Sequence, residues 1–164
     1  MYTLLGGWSV GGIYTAESGR TFFVNNSSNN TGTGGGIIGT ADFGAPFVHL
    51  DPRQNSERAF NASAFKNLAC PATAPGFGQC ARRGTSGINQ FRVPNGINNW
   101  DMILSKKTRL WNETSNLELR FEAFNALNHT QFTTLNTTIT SAGFGKFTAA
   151  RESRVIQLGA RISF

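Results

Sequence analysis

The chain has 164 residues, enough for one domain with a sizeable core. Its 15 Lys+Arg outnumber 9 Asp+Glu for a net charge of +6, yet only Arg82-Arg83 and Lys106-Lys107 are adjacent. Such scatter argues against the basic stripe with interleaved aromatics that nucleic acid demands. With 19 Gly, 14 Phe and 15% charged residues the composition favours an all-β protein, and no apolar run approaches the ~18 residues of a membrane helix.

The opening MYTLLGGWSV has neither a basic n-region nor an apolar h-region, so it does not read as a signal peptide. An exported protein would then need an N-terminus upstream of Met1. The first predicted strand covers residues 6–24, GGWSVGGIYTAESGRTFFV, with Trp8, Val10 and Tyr14 on one face and Ser9 and Thr15 on the other. Glu17-Ser18-Gly19 reads as a bulge or kink within it.

Residues 25–98 read as one long irregular loop, opening with NNSSNNTGTGGG. A loop of that length is expected to be functional. Gly34, Gly36 and Gly39 match a dinucleotide fingerprint by letter, but TADFGAPF after them is no helix, so no cofactor is expected. Cys70 and Cys80, the two cysteines, lie in ACPATAPGFGQCA, where a loop-closing disulfide and an oxidising compartment are expected.

The second predicted strand is residues 99–110, NWDMILSKKTRL, with Trp100, Met102, Leu104 and Leu110 on one parity and Asp101, Ser105, Lys107 and Arg109 on the other. WNETSN, residues 111–116, is a short turn. The third strand, residues 117–127, alternates Leu117, Leu119, Phe121 and Ala123 with Glu118, Arg120 and Glu122. Its Leu, Glu, Arg and Ala favour a helix by propensity, but the period of two favours a strand. After a longer connection, the fourth strand, residues 154–164, alternates Ile156, Leu158, Ala160, Ile162 and Phe164 with Gln157, Gly159, Arg161 and Ser163.

The connections run long, short, long. In an antiparallel up-and-down meander this puts both long loops at one end and the short turn at the other, as in outer-membrane barrels. The strands also exceed the usual 5 or 6 residues of a soluble sheet and suit a tilted membrane strand of roughly 9 to 11. Trp8, Trp100 and Trp111 fall near strand ends, where an interfacial belt would hold them.

Four stretches in series carry a family likeness: GGWSVGGIYTAESGRTFFV; RAFNASAF; NNWDMILSKKTRL; and LRFEAFNALNHTQF with FGKFTAARESRVIQLGARISF. The chain resembles the C-terminal end of a TonB-dependent outer-membrane receptor of the Oar-like kind, which carries a carboxypeptidase-regulatory-like domain. The resemblance implies the last four strands of a 22-stranded barrel in the cell outer membrane, with residues 25–98 an extracellular loop. It implies that Leu158, Ala160, Ile162 and Phe164 form the terminal signal read by the barrel assembly machinery. Outer-membrane lipid and the remainder of the barrel would be its other partners. No TonB box, plug or earlier strands are present, so the segment would not transport alone.

Glu118 and Glu122 with Arg120 between them imitate an acid/base pair, but a row of charges lining a wet lumen explains them better. His49 and His129 have no companions at metal-ligand spacing, and no nucleophile arrangement is signalled. No catalytic, metal or cofactor residue is therefore expected. The competing expectation is a stand-alone extracellular structural or adhesive β-protein, self-associating through open strand edges into oligomers or fibres.

Overall fold

The computed structural model describes residues 5–26, 39–68, 83–111 and 114–164. Cys70 and Cys80 lie outside the described residues, as do Gly34 and Gly36. Apart from one 3-10 turn at Ala62–Ala64, the named elements are strands. The chain divides into two compact units, one of residues 1–17, 97–131 and 151–164, the other of residues 18–96 and 132–150.

The first unit is a four-stranded antiparallel sheet of β1 (Trp8–Glu17), β2 (Ile97–Arg109), β3 (Asn116–Phe124) and β4 (Val155–Ser163), hydrogen-bonded in that order. This is the up-and-down meander expected from the alternation. Trp8 pairs with Lys106 and Glu17 with Ile97; Met102 pairs with Ala123 and Arg109 with Asn116; Val155 pairs with Phe124 and Ser163 with Asn116. The ladders run without a register shift, and every strand keeps its apolar parity on the same side. The β2–β3 turn is closed by the Leu110 amide donating to the Ser115 carbonyl at 3.0 Å. Ahead of β1, Gly7 has a φ of +79° and passes the Lys107 carbonyl so closely that a Cβ would lie 2.1 Å from its oxygen. Only glycine fits there.

Two boundaries differ from the sequence reading by more than two residues. The first strand stops at Glu17 rather than continuing through 24, because the chain turns away at Ser18 and Gly19. Thr21–Phe22 instead pairs with Phe91–Arg92, and a Cβ on Gly19 would meet the Val93 carbonyl oxygen at 2.0 Å. The third strand ends at Phe124 rather than 127, because Asn125 takes a φ of +49° and breaks the pleat.

The second unit contains much of the stretch read as irregular loop, and it has a core of its own. Among the described residues four short antiparallel ladders occur here, including Asp42–Phe43 with Phe65–Lys66 and Phe132–Leu135 with Phe147–Ala150. Their centre is aromatic. Phe60 stacks on Phe22 with ring centroids 5.3 Å apart and meets Phe65 and Phe144 edge-on at 5.4 Å each. The RAFNASAF stretch supplies the hub: Ala59, Phe60, Ala64 and Phe65 are buried. Its Asn61 side chain clasps the preceding segment, accepting from the Val48 amide at 2.8 Å and donating to the Pro46 carbonyl at 3.0 Å.

Candidate membrane-facing surface

Because the register is continuous, side chains of the four strands form transverse rows. One face carries Val10, Leu104, Phe121 and Leu158 in one row and Gly12, Met102, Ala123 and Ile156 in the next. Toward the short turn come Trp8, Lys106, Leu119 and Ala160, then Thr108, Leu117 and Ile162. Large apolar side chains here lie open: Leu158 is 80% exposed and Val10 71%. In water such a contiguous apolar sheet face is costly, so its presence marks a surface meant for an apolar environment.

Aromatics bracket this face. At the long-connection end Tyr14 and Trp100 stack with centroids 4.6 Å apart. At the short-turn end Trp8 carries the Lys106 Nζ 4.7 Å from its ring centroid, and Trp111 in the turn is exposed. Paired belts of this kind are what a membrane with two water interfaces selects. The strand lengths of 10, 13, 9 and 9 residues match the roughly 9 to 11 that a tilted strand needs to cross.

The opposite face is polar through its short-turn half. Glu118 sits in register between Lys107 of β2 and Arg161 of β4, so charges alternate across three strands. Unlike charges directly opposite one another favour that register. Arg120 bonds Glu122 at 2.7 Å on the same face. Toward the long connections the face becomes mixed, with Ile13, Ile103, Phe124 and Val155 exposed.

A hydrogen-bonded network closes the long-connection end of the sheet. The Asp101 carboxylate accepts from the Asn125 amide at 2.9 Å and from the Asn99 side chain at 2.9 Å. The buried Asn125 side chain donates to the His129 carbonyl at 3.0 Å and accepts from the His129 amide at 3.0 Å. The buried Gln131 carboxamide accepts from the Asn98 amide at 3.0 Å and donates to the Asn98 carbonyl, taking the place of a neighbouring strand beyond the end of β3. Asn128 (φ +53°) accepts from the Arg154 amide at 3.1 Å. These residues account for much of the NALNHTQ stretch, and sequence reasoning assigned them no role. The available signal was a pair of asparagines three apart after a strand, since Asn is the residue other than Gly that best tolerates a left-handed backbone.

The residues singled out from sequence divide between the faces. Leu158, Ala160 and Ile162 lie on the apolar face, and Phe164 follows β4 and is 97% exposed. Glu118, Arg120 and Glu122 lie on the polar face. His49 packs edge-on to Phe47 at 4.8 Å, whereas the His129 backbone serves the Asn125 cap.

A long antiparallel meander with one apolar outer face, one charged face and aromatic belts is the wall of a membrane-spanning β-barrel. The chain matches the family described as outer membrane beta barrel domain over residues 1–157, and it belongs to that family. An outer-membrane location follows in general terms. No curated protein and no solved structure matches the chain.

Proposed function

We propose that the chain is the closing segment of a TonB-dependent receptor barrel of the Oar-like kind, contributing wall rather than transport by itself. The observation that supports this reading best is the unlike pair of faces held in one continuous register, one apolar and one charged. Glu118, Arg120 and Glu122 then line the lumen. Leu158, Ala160, Ile162 and Phe164 present the terminal pattern to the assembly machinery and the rest of the barrel, with lipid covering the apolar face. Cys70 and Cys80 are bonded in the oxidised protein. No catalytic, metal or cofactor role is assigned.

The outer edges of β1 and β4 have no strand partner among the described residues, and this favours a second reading. A stand-alone extracellular β-protein would add strands between copies there. The reading frame decides between them when its product is expressed. A plug and about 18 preceding strands, with heat-modifiable migration of the membrane-extracted product, are expected for the receptor. A secreted 164-residue oligomer would establish the alternative instead. Within a receptor, deleting Phe164 should lower the yield of assembled barrel; undiminished assembly would remove the terminal-signal role. Thiol labelling of the denatured, unreduced protein should find neither Cys70 nor Cys80 free.

A further inference from the structure

In the unit of residues 18–96 and 132–150, a cleft of about 430 Å³ opens beside the Phe147–Ala150 strand. Its walls include Phe132, Phe147, Ala149 and Ala150, and its titratable walls are Glu57 and Lys146. These two lie close in the fold. Arg58 and Lys146 form an antiparallel bridge, and the Phe147 amide donates to the Glu57 carbonyl at 2.9 Å. Yet Glu57 and Lys146 make no ion pair with each other, and neither side chain has another polar partner among the described residues. Arg58 adds a second cation directly opposite Lys146, and like charges facing one another across strands repel. The Arg58 guanidinium donates to the Phe144 carbonyl at 3.0 Å and forms no ion pair among the described residues. Glu57 itself has a φ of +67°, following Ser56 at +51°. Glycine adopts that conformation without cost, so a carboxylate retained there is held against the backbone's preference.

We propose that this cleft binds an α-amino acid with a large apolar side chain. Glu57 takes the ammonium, and Lys146 takes the carboxylate with Arg58 adding to the positive field. The side chain lies against Phe132 and Phe147, whose rings stack with centroids 4.9 Å apart. A ligand of one sign would satisfy one wall and face a like charge on the other. A zwitterion placed between them satisfies both and relieves the repulsion of Arg58 and Lys146. The volume and the apolar lining with few placed charges are those of a small-molecule site. Charge-assisted hydrogen bonds at both ends of the ammonium–carboxylate group would fix its orientation. The inference goes beyond the barrel-wall reading and does not rest on it, because every residue it uses lies in one unit.

The test is isothermal titration calorimetry on the full-length protein with three ligands that share one ring. L-phenylalanine carries both charges, phenethylamine lacks the carboxylate, and 3-phenylpropionate lacks the ammonium. The wild type should bind L-phenylalanine about 10-fold more tightly than either analogue, the factor for one lost charge-assisted hydrogen bond. Lys146→Gln should make L-phenylalanine and phenethylamine nearly equal while the preference over 3-phenylpropionate persists. Glu57→Gln should do the reverse, equalising L-phenylalanine and 3-phenylpropionate alone. Lys146→Arg should restore the preference over phenethylamine. A wild type that binds the three ligands equally, or binds none, overturns the site without recourse to any variant. So does a variant that weakens all three alike, since that is the mark of a structural role. Displacement of L-phenylalanine by an equal concentration of sodium acetate would reduce the site to one for simple anions and overturn the amino-acid assignment.

Discussion

Two regions of this chain treat the same apolar residue types in opposite ways. In the four-stranded sheet the large apolar side chains point outward, and Ala123 is the one buried apolar residue among its described positions. In the unit of residues 18–96 and 132–150, Phe60 and Val24 are fully buried and the rings of Phe22, Phe65 and Phe144 close around Phe60. The second arrangement is how a protein escapes water by itself. The first makes sense only when something other than protein covers the surface. Exposure of an apolar residue therefore signals different physics in the two regions, an interior still to be supplied by lipid against an interior already complete.

The sharpest way to test that contrast is to remove a side chain from the completed interior. Phe60→Ala in the full-length protein should cost about 3 to 5 kcal/mol of local stability, the usual loss for a buried phenylalanine. It should appear as proteolysis and fast hydrogen exchange across residues 39–68, with heat-modifiable barrel migration retained. Loss of the barrel form together with the core would show that the two regions are not independent in stability.

The converse test places a charge on the open face. Leu158→Arg, in the middle of the apolar rows, should destabilise the membrane-embedded barrel by about 2 to 4 kcal/mol. Gln157→Arg, one residue away on the charged face, should cost far less. Urea titration in liposomes would measure both. Equal effects would mean that the faces have been assigned the wrong environments.

Smaller again is the loss expected at the rim. Asn125→Ala removes a buried carboxamide from the His129 backbone and puts a Cβ-bearing residue without that compensation at φ +49°. A cost of about 1 to 3 kcal/mol is expected, seen as faster exchange of the His129 and Asn125 amides. Asn125→Gly should restore the part due to backbone conformation but not the part due to hydrogen bonds. Smallest of all is Arg161→Gln on the charged face, expected within about 0.5 kcal/mol of wild type because its surroundings are wet. A larger effect would mean that the row of Lys107, Glu118 and Arg161 is shielded from water.

The sheet was legible in the sequence because a period of two leaves its mark on neighbouring residues. Leu117, Leu119 and Phe121 declare their shared face without reference to anything distant. Strand ends were harder. Phe124 is followed by Asn125 because of a backbone angle and a cap formed with residues up to Glu152, and neither is visible in local alternation. The aromatic core was not legible at all. Phe22, Phe60, Phe65, Phe91 and Phe144 are spread over more than a hundred positions with no common period, and each belongs to a segment of two to four paired residues or to none. Such a core exists only as a set of long-range contacts. On the candidate surface, the exposed face followed from parity, but the stack of Tyr14 on Trp100 became visible only when the register placed them opposite one another.

Both excursions from the sheet leave through closed necks. Glu17 pairs with Ile97 at one, and the Arg151 amide donates to the Gln131 carbonyl at 2.8 Å at the other. Beside the second neck, the Gln131 carboxamide satisfies the Asn98 peptide group that β3 no longer reaches. The wall thus completes its own hydrogen bonding before the chain departs and resumes after it returns. Descendants of one ancestral gene could exchange, lengthen or discard what lies between those necks while inheriting the same wall. Such a frame separates the part of the protein held to one pattern by strand register from the part whose sequence that register leaves free.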